Sequence, residues 1–415
     1  MFWRFLIFFI IIIAVEVYFL QAVKTFARDF SPRNKSIITN IAYALFAINF
    51  VLGIVSLFYP PPEWKSFLRI LPPMFIVLVV CKLFGSSFLI IDDVIRLFRW
   101  LYKLIITSRS ADVSGGATEI SRIKFLSQLA ITFTVVPAIS FIYGMIKGAY
   151  KYRVHNVKID SPNIPDAFHG FKIVQLSDMH VGSFFDSKPL NTAFDIVMQQ
   201  KADMILFTGD LVNNATIETN GFIEEFKRLK APYGVYSVLG NHDYGDYVSW
   251  ESPEAKKANL EALKKVQADC GWRLLMNEHV SIEKGEDKIA LLGIENWGGS
   301  MRFPKYGKMH LAHKGTEDYK FKILLSHDPS HWDKQVRTEY SDVDLTLSGH
   351  THGMQFGIEI PGFKWSPVQY LYKQWAGLYK QDNQYLYVNR GLGFLGYPGR
   401  LGIWPEITVI ELNKV

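Results

Sequence analysis

The chain is poor in cysteine: its 415 residues carry only Cys81 and Cys270. Two thiols exclude a disulfide framework and a thiolate metal cluster. Internal repeats and low-complexity tracts are also missing. Net positive charge is confined to one part. Residues 1–154 hold 17 Lys/Arg against 7 Asp/Glu, and the remainder holds 28 against 32. The mildly acidic second part argues against a nucleic-acid surface there.

Charge is scarcest in four early runs. "FLIFFIIIIAVEVYFL" ends at Leu20; residues 36–59 and 125–146 carry no charge; residues 71–91 contain only Lys82. Crossing a bilayer takes about 20 apolar residues, so about four transmembrane helices are expected. The first run resembles a signal peptide in length and position but lacks a clear small-x-small cleavage site, so it reads as an uncleaved anchor. Pro72, Pro73 and Lys82 make the third the weakest. Glu16 and Lys82 fall inside apolar runs; burial against a neighbouring helix or snorkelling accounts for both. The polar stretch 108–121 reads as a flexible connection.

Loop charge orients such a bundle. Lys24, Arg28, Arg33 and Lys35 follow the first run, and Arg96, Arg99, Lys103, Arg109, Arg122 and Lys124 follow the third. The opposite face carries Arg4, Lys65, Arg69, Lys147, Lys151 and Arg153. The richer side is expected in the cytoplasm, which puts the C-terminal part outside it.

From about Val154 the pattern becomes α/β. "FKIVQLSD", "DMILFTGD" and "YGVYSVLGNHD" read as buried strands. "KPLNTAFDIVMQQ", "GFIEEFKRLK" and the proline-opened "PEAKKANLEALKKVQADC" read as helices between or after them. Further strand-like runs at 288–294, 321–325, 345–347, 385–389 and 407–412 suggest a second sheet. A membrane domain over 1–150 and an α/β domain over 151–415 are the expected division.

Polar residues gather where these strands end: Asp178 and His180 in "SDMH", Asp210 in "TGDLVNN", Asn241, His242 and Asp243 in "GNHD", His327 in "LLSHDP", His350 and His352 in "GHTHG". In open α/β sheets sites form beyond the carboxyl ends of strands. Imidazole, carboxylate and carboxamide side chains without thiolate suit manganese, iron or zinc. On an extended segment His350 and His352 would point to opposite faces.

These blocks, in this order, resemble the calcineurin-like metallophosphoesterases over about residues 155–415, and the ending resembles a membrane-associated bacterial branch. The resemblance implies a β-sandwich flanked by helices, with two divalent metal ions at its edge. Asp178, His180, Asp210 and His352 would hold one, and Asp210, Asn241, His327 and His350 the other, with Asp210 bridging. His242 would donate to a phosphoryl oxygen or protonate the leaving group. Members often carry an acid three residues after the bridging aspartate to orient that histidine; here it is Asn213. The glycine pair often found after the last histidine is Gly353–Met354.

Two readings stand for the aromatic stretch 361–380: a core hairpin with surface lysines, or an interfacial lip, since Trp and Tyr favour the headgroup level of a bilayer. Residues 393–404 would join the lip, with Arg400 near a phosphate. The whole reads as a membrane-anchored phosphoesterase using metal-activated hydroxide on a phosphodiester or a lipid-linked phosphate or pyrophosphate, with membrane lipids as its surroundings and no nucleic acid as partner. The rival is a metal-bearing scaffold that recruits protein partners. A transporter or sensor would need more intramembrane polar residues than Glu16 and Lys82.

Overall fold

The computed structural model describes residues 2–58, 70–106, 116–299, 303 and 305–415. Lys65, Arg69 and Arg109, counted above for orientation, lie outside them, as does most of the expected flexible connection. The chain divides into compact units Met1–Tyr143 and Gly144–Val415.

The first unit is built from α1 (Phe2–Phe26), α2 (Pro32–Phe58), α3 (Leu71–Ile106) and α4 (Gly116–Ile146). All four are long and apolar enough to cross a membrane. Pro72 and Pro73 do not interrupt α3 because they fall in its first turn, where a missing N–H costs no hydrogen bond. The connection expected over 108–121 is shorter in the structure: α4 already includes residues 116–121. Lys82 on α3 pairs with both carboxylate oxygens of Glu16 on α1 at 2.7 Å, and Asn49 on α2 donates to the same carboxylate at 2.5 Å. A buried pair satisfied from three helices fixes their register rather than exposing a charge to lipid.

The second unit is a four-layer sandwich. β1 (Arg153–Ser161), β2 (Lys172–Leu176), β3 (Met204–Phe207), β4 (Val235–Ser237) and β5 (Trp272–Leu274) form one sheet with the final strand, in the order β1-β14-β2-β3-β4-β5. β2 to β5 are parallel, and α5 (Lys188–Gln199), α6 (Ile223–Phe226) and α7 (Pro253–Asp269) lie in the connections. The second sheet follows β6 (Glu278–Lys284), β7 (Asp287–Gly293), β8 (Lys322–Leu325) and β9 (Leu345–Ser348). After the small hairpin β10 (Ile358–Ile360) and β11 (Phe363–Trp365), it closes with β12 (Gly377–Gln381) and β13 (Gln384–Val388), in the order β12-β13-β9-β8-β7-β6. β14 (Glu406–Lys414) returns to the first sheet, parallel to β1 and antiparallel to β2.

Alternation along the strands builds the layers. Ile173, Leu206, Ile289, Ile323, Leu345 and Ile410 meet between the sheets. Val174, Ile205 and Phe207 turn outward, onto Phe194 of α5, Phe226 of α6 and Leu263 of α7. A smaller apolar cluster around Leu292, Leu324 and Trp332 covers the other face. Each such side chain contributes about 2 kcal/mol of burial, so the sheets hold their edges rigid, and the site is built on those edges.

Candidate metal centre

The strand ends named above converge. β2 ends at Leu176 and delivers Asp178 and His180; β3 ends at Phe207 and delivers Asp210; β4 delivers Asn241 and His242; β8 delivers His327; β9 delivers His350 and His352. The donor atoms of Asp178, His180 and His352 lie within 4.8 Å of one another, and so do those of Asp210, His327 and His350. Asn241 Oδ1 adjoins the second group, 2.7 Å from His350 Nδ1. Asp210 Oδ2 is 3.5 Å from His180 Nε2 and 3.1 Å from His327 Nε2, so one oxygen faces both groups.

The backbone is strained to achieve this. Asp178, His180, Asp210, His350 and His352 all have positive φ, between 45° and 71°. Left-handed backbone is unfavourable for residues with a Cβ and clusters at functional sites. It also corrects the expectation of opposed faces: β9 stops at Ser348, so His350 and His352 leave the extended geometry and both rings turn into the cleft, one to each group. Glycine serves here through close approach: a Cβ on Gly349 would lie 2.2 Å from Asp178 Oδ2, and one on Gly240 would lie 2.1 Å from Asp210 Oδ1.

Hydrogen bonds hold the donors in place. His327 Nδ1 donates to the Thr208 carbonyl at 2.7 Å, which turns Nε2 toward Asp210. His180 Nδ1 donates to Asn213 Oδ1 at 3.1 Å. Asp178 accepts from the His350 N–H, and Asp210 Oδ1 from the His242 N–H at 2.9 Å. Orienting the second ring nitrogen or second oxygen in this way is how proteins fix metal ligands.

These residues fit divalent cations. His180 Nε2 and His352 Nε2 face each other at 3.1 Å, and His352 Nε2 lies 3.2 Å from Asp178 Oδ1. A cation about 2.1 Å from each ligand sets neighbouring donors about 3 Å apart, whereas two bare lone pairs at that separation repel. The field agrees. Burial pushes His180 down to about 3, although Asp210 opposes it. Burial would also depress His327, but Asp210 and Asp178 overcome it and push that ring up to about 10. The carboxylates attract positive charge between the strand ends.

Three expectations change. Asn213 orients His180 with its side chain, and its backbone carbonyl accepts from His242 Nδ1 at 2.7 Å. The carbonyl thus occupies the place expected of an amide side chain. Arg400, expected near a phosphate, is fully buried. Its guanidinium donates to the carbonyls of Gly393, Arg390, Gly391 and His352, so its hydrogen bonds go to the backbone around it, and it is not among the residues that line the cleft. The stretch 361–380 divides: β11 is largely exposed, whereas Val368, Trp375 and Ala376 are buried in a small apolar cluster.

Two further residues support the site, Asp243 of the "GNHD" block, to which the sequence assigns no role, and Tyr372. Asp243 accepts N–H bonds from Gly240, Asp210, Leu211 and Val212, clamping the Asp210 turn. Burial and then Asp210 push it up to about 7. Its place in "GNHD" was the available signal. Tyr372 meets His350 Nε2 at 2.7 Å, and no motif marks it. A cleft of about 680 Å³ opens over the centre, lined by His242, His350, Phe303, Met354, Leu371, Leu395 and, at its cationic side, Lys334 and Lys373.

Sandwich and site together define a metal-dependent phosphoesterase fold anchored by transmembrane helices. Residues 171–354 match the family model "Calcineurin-like phosphoesterase", and residues 3–149 match "Probable Calcineurin-like phosphoesterase, transmembrane domain". The chain is 32% identical to the metallophosphoesterase YkuE of Bacillus subtilis, over 63% of this chain and 84% of that one. It is 30% identical to a transmembrane protein with metallophosphoesterase domain of Danio rerio, over 76% of this chain and 68% of that one. It is 26% identical to the phosphodiesterase YaeI of Escherichia coli, over 71% and 99%. The chain belongs to the calcineurin-like metallophosphoesterase family and is an integral membrane member of it.

Proposed function

We propose that the centre holds two divalent cations, manganese, iron or zinc, and hydrolyses a phosphodiester or a lipid-linked phosphate or pyrophosphate. Asp178, His180, Asp210 and His352 hold one cation; Asp210, Asn241, His327 and His350 hold the other. The observation that carries this reading is the single oxygen of Asp210 facing both donor groups. Bound there, the cations supply Lewis acidity to a water nucleophile and to the phosphoryl oxygens for in-line displacement.

The chain's own residues supply the rest. His242 has its Nδ1 hydrogen committed to the Asn213 carbonyl, which fixes its tautomer and leaves Nε2 for the substrate. From the cleft wall, in its doubly protonated form, it donates from Nε2 to a phosphoryl oxygen or protonates the leaving group. Lys334 and Lys373 favour an anionic substrate, and Met354, Leu371 and Leu395 favour one with an apolar part. The similarity to YaeI, named a phosphodiesterase, supports the diester reading.

The test is hydrolysis by the full-length protein in detergent micelles, with added manganese, of a panel of soluble monoesters, soluble diesters and micellar lipid phosphates. Turnover that chelation removes and manganese restores is expected. Metal binding without turnover of any ester would favour the scaffold.

A further inference from the structure

The hairpin β10–β11 is inside out. Its register pairs Ile358 with Trp365, Glu359 with Lys364 and Ile360 with Phe363. Side chains alternate along each strand, so Ile358, Ile360, Phe363 and Trp365 share one face, and Glu359 and Lys364 the other. The charged face turns to the protein. Glu359 pairs with the buried Arg390, and Lys364 donates to the Ala376 carbonyl with its ammonium 4.9 Å above the Trp375 ring. The apolar face turns outward: Ile358 is 50% exposed, Ile360 58% and Phe363 52%. A register slip of one residue would have hidden these side chains; the Glu359–Arg390 ion pair and the Lys364 hydrogen bond hold them out instead.

The apolar strip continues to the cleft. Trp365 Nε1 reaches Tyr370 Oη at 3.5 Å, Tyr370 and Leu371 are 75% and 72% exposed, and Leu371 lines the cleft mouth. The hairpin is also rooted beside the start of this unit. Gly357 donates to the Leu401 carbonyl, and Gln355 donates to the carbonyls of Tyr397 and Gly399. The same turn is held from the other end of the chain, where Arg400 N–H donates to the carbonyl of Gly144, inside the last turns of α4. Lys151 lies 4.7 Å from the Trp404 ring.

We infer that the apolar face of β10–β11, with Tyr370 and Leu371, lies in the interfacial layer of the bilayer that α4 crosses, and admits amphiphilic phosphoesters from that layer to the cleft. The occupant is a lipid surface because the turn that roots the hairpin also grips the end of a membrane helix. Isoleucine, phenylalanine, tryptophan and tyrosine together are the composition of an interfacial anchor. The choice of substrate rests on the phosphoesterase reading; the position of the hairpin does not.

The experiment uses the full chain in phosphatidylcholine–phosphatidylglycerol nanodiscs, with a fluorophore on Phe363→Cys or, as control, on Glu286→Cys in the exposed β6–β7 turn. Cys81 and Cys270 are buried, which spares them from labelling. Doxyl-labelled lipid should quench the probe at 363 and not at 286. No quenching at 363 overturns the inference, and so does shielding that appears only with rising protein concentration, which would assign the face to a second copy. In the double variant I360D/F363D, hydrolysis of a dialkyl phosphate in the bilayer should fall about tenfold or more as interfacial binding is lost, with soluble bis(p-nitrophenyl) phosphate unaffected. An equal fall on both substrates would make the hairpin a structural element only. Failure of the unmutated chain on both would sink the phosphoesterase reading and leave the quenching result to decide the hairpin.

Discussion

At the residue scale, the centre depends on where single atoms lie. Asp210→Asn replaces one anionic oxygen of a carboxylate that faces both donor groups with an amide nitrogen. Two dications held there would then repel with less compensation. Turnover should vanish while the circular dichroism spectrum stays unchanged; wild-type activity with two metals bound would rule out the bridging assignment. His242 and His350 should part company. His242→Ala should keep both metals and lose about 10²–10⁴-fold in turnover, because its Nδ1 is committed to the Asn213 carbonyl and its ring, though packed 5.0 Å from that of His180, belongs to neither donor group. His350→Ala should lose metal first, measured by elemental analysis after desalting. Equal metal loss in both variants would show that His242 is a ligand. Which residue types sit in the site was legible in the motif blocks. Their pairing was not: Asn213 orients His180 through its side chain and His242 through its carbonyl, and backbone carbonyls leave no trace in a residue pattern.

At the element scale, the segment after β13 shows how much one buried charge can organise. Arg400 spends its guanidinium on four carbonyls contributed by the turn 390–393 and by His352. Burial pulls it down to about 10, with Asp178 and Glu406 opposing, so it stays cationic at neutral pH. Arg400→Met keeps the volume and removes the donors, leaving several buried carbonyls unsatisfied at about 1–3 kcal/mol each. The expected outcome is a large drop in melting temperature, with the KM of molecules that remain folded nearly unchanged. A raised KM at normal stability would restore Arg400 to the phosphate. The strands were legible because apolar runs of four or five residues ended in polar turns. The face that β10–β11 exposes was not, since its alternation fits either orientation and only Arg390 and Ala376, distant in sequence, select one.

At the scale of the whole molecule, the open question is which side of the membrane the catalytic unit occupies. We propose the extracytoplasmic side. Ten Lys/Arg follow the first and third apolar runs against six on the opposite face. Arg122 and Arg96 both contact Asp92, yet acids weigh little in orientation, so the bias stands. Protease added to intact cells carrying a tag at Val415 should remove the tag. A tag that survives until the membrane is permeabilised places the unit in the cytoplasm.

By itself, the sequence determined four helices long and apolar enough to cross a membrane, a change to α/β pattern near Val154 and the residue types that gather in the candidate metal centre. Those are local properties, set by length, periodicity and the residues that end each strand. Tertiary structure alone decided three others. β14 enters the first sheet between β1 and β2, so the last strand closes what the earliest strands of the unit began. Asp210 faces both donor groups, and the hairpin turns its apolar face outward. Each depends on which distant segments share a register or a hydrogen bond, and such pairings are settled only when burial and backbone satisfaction are optimised over the whole unit.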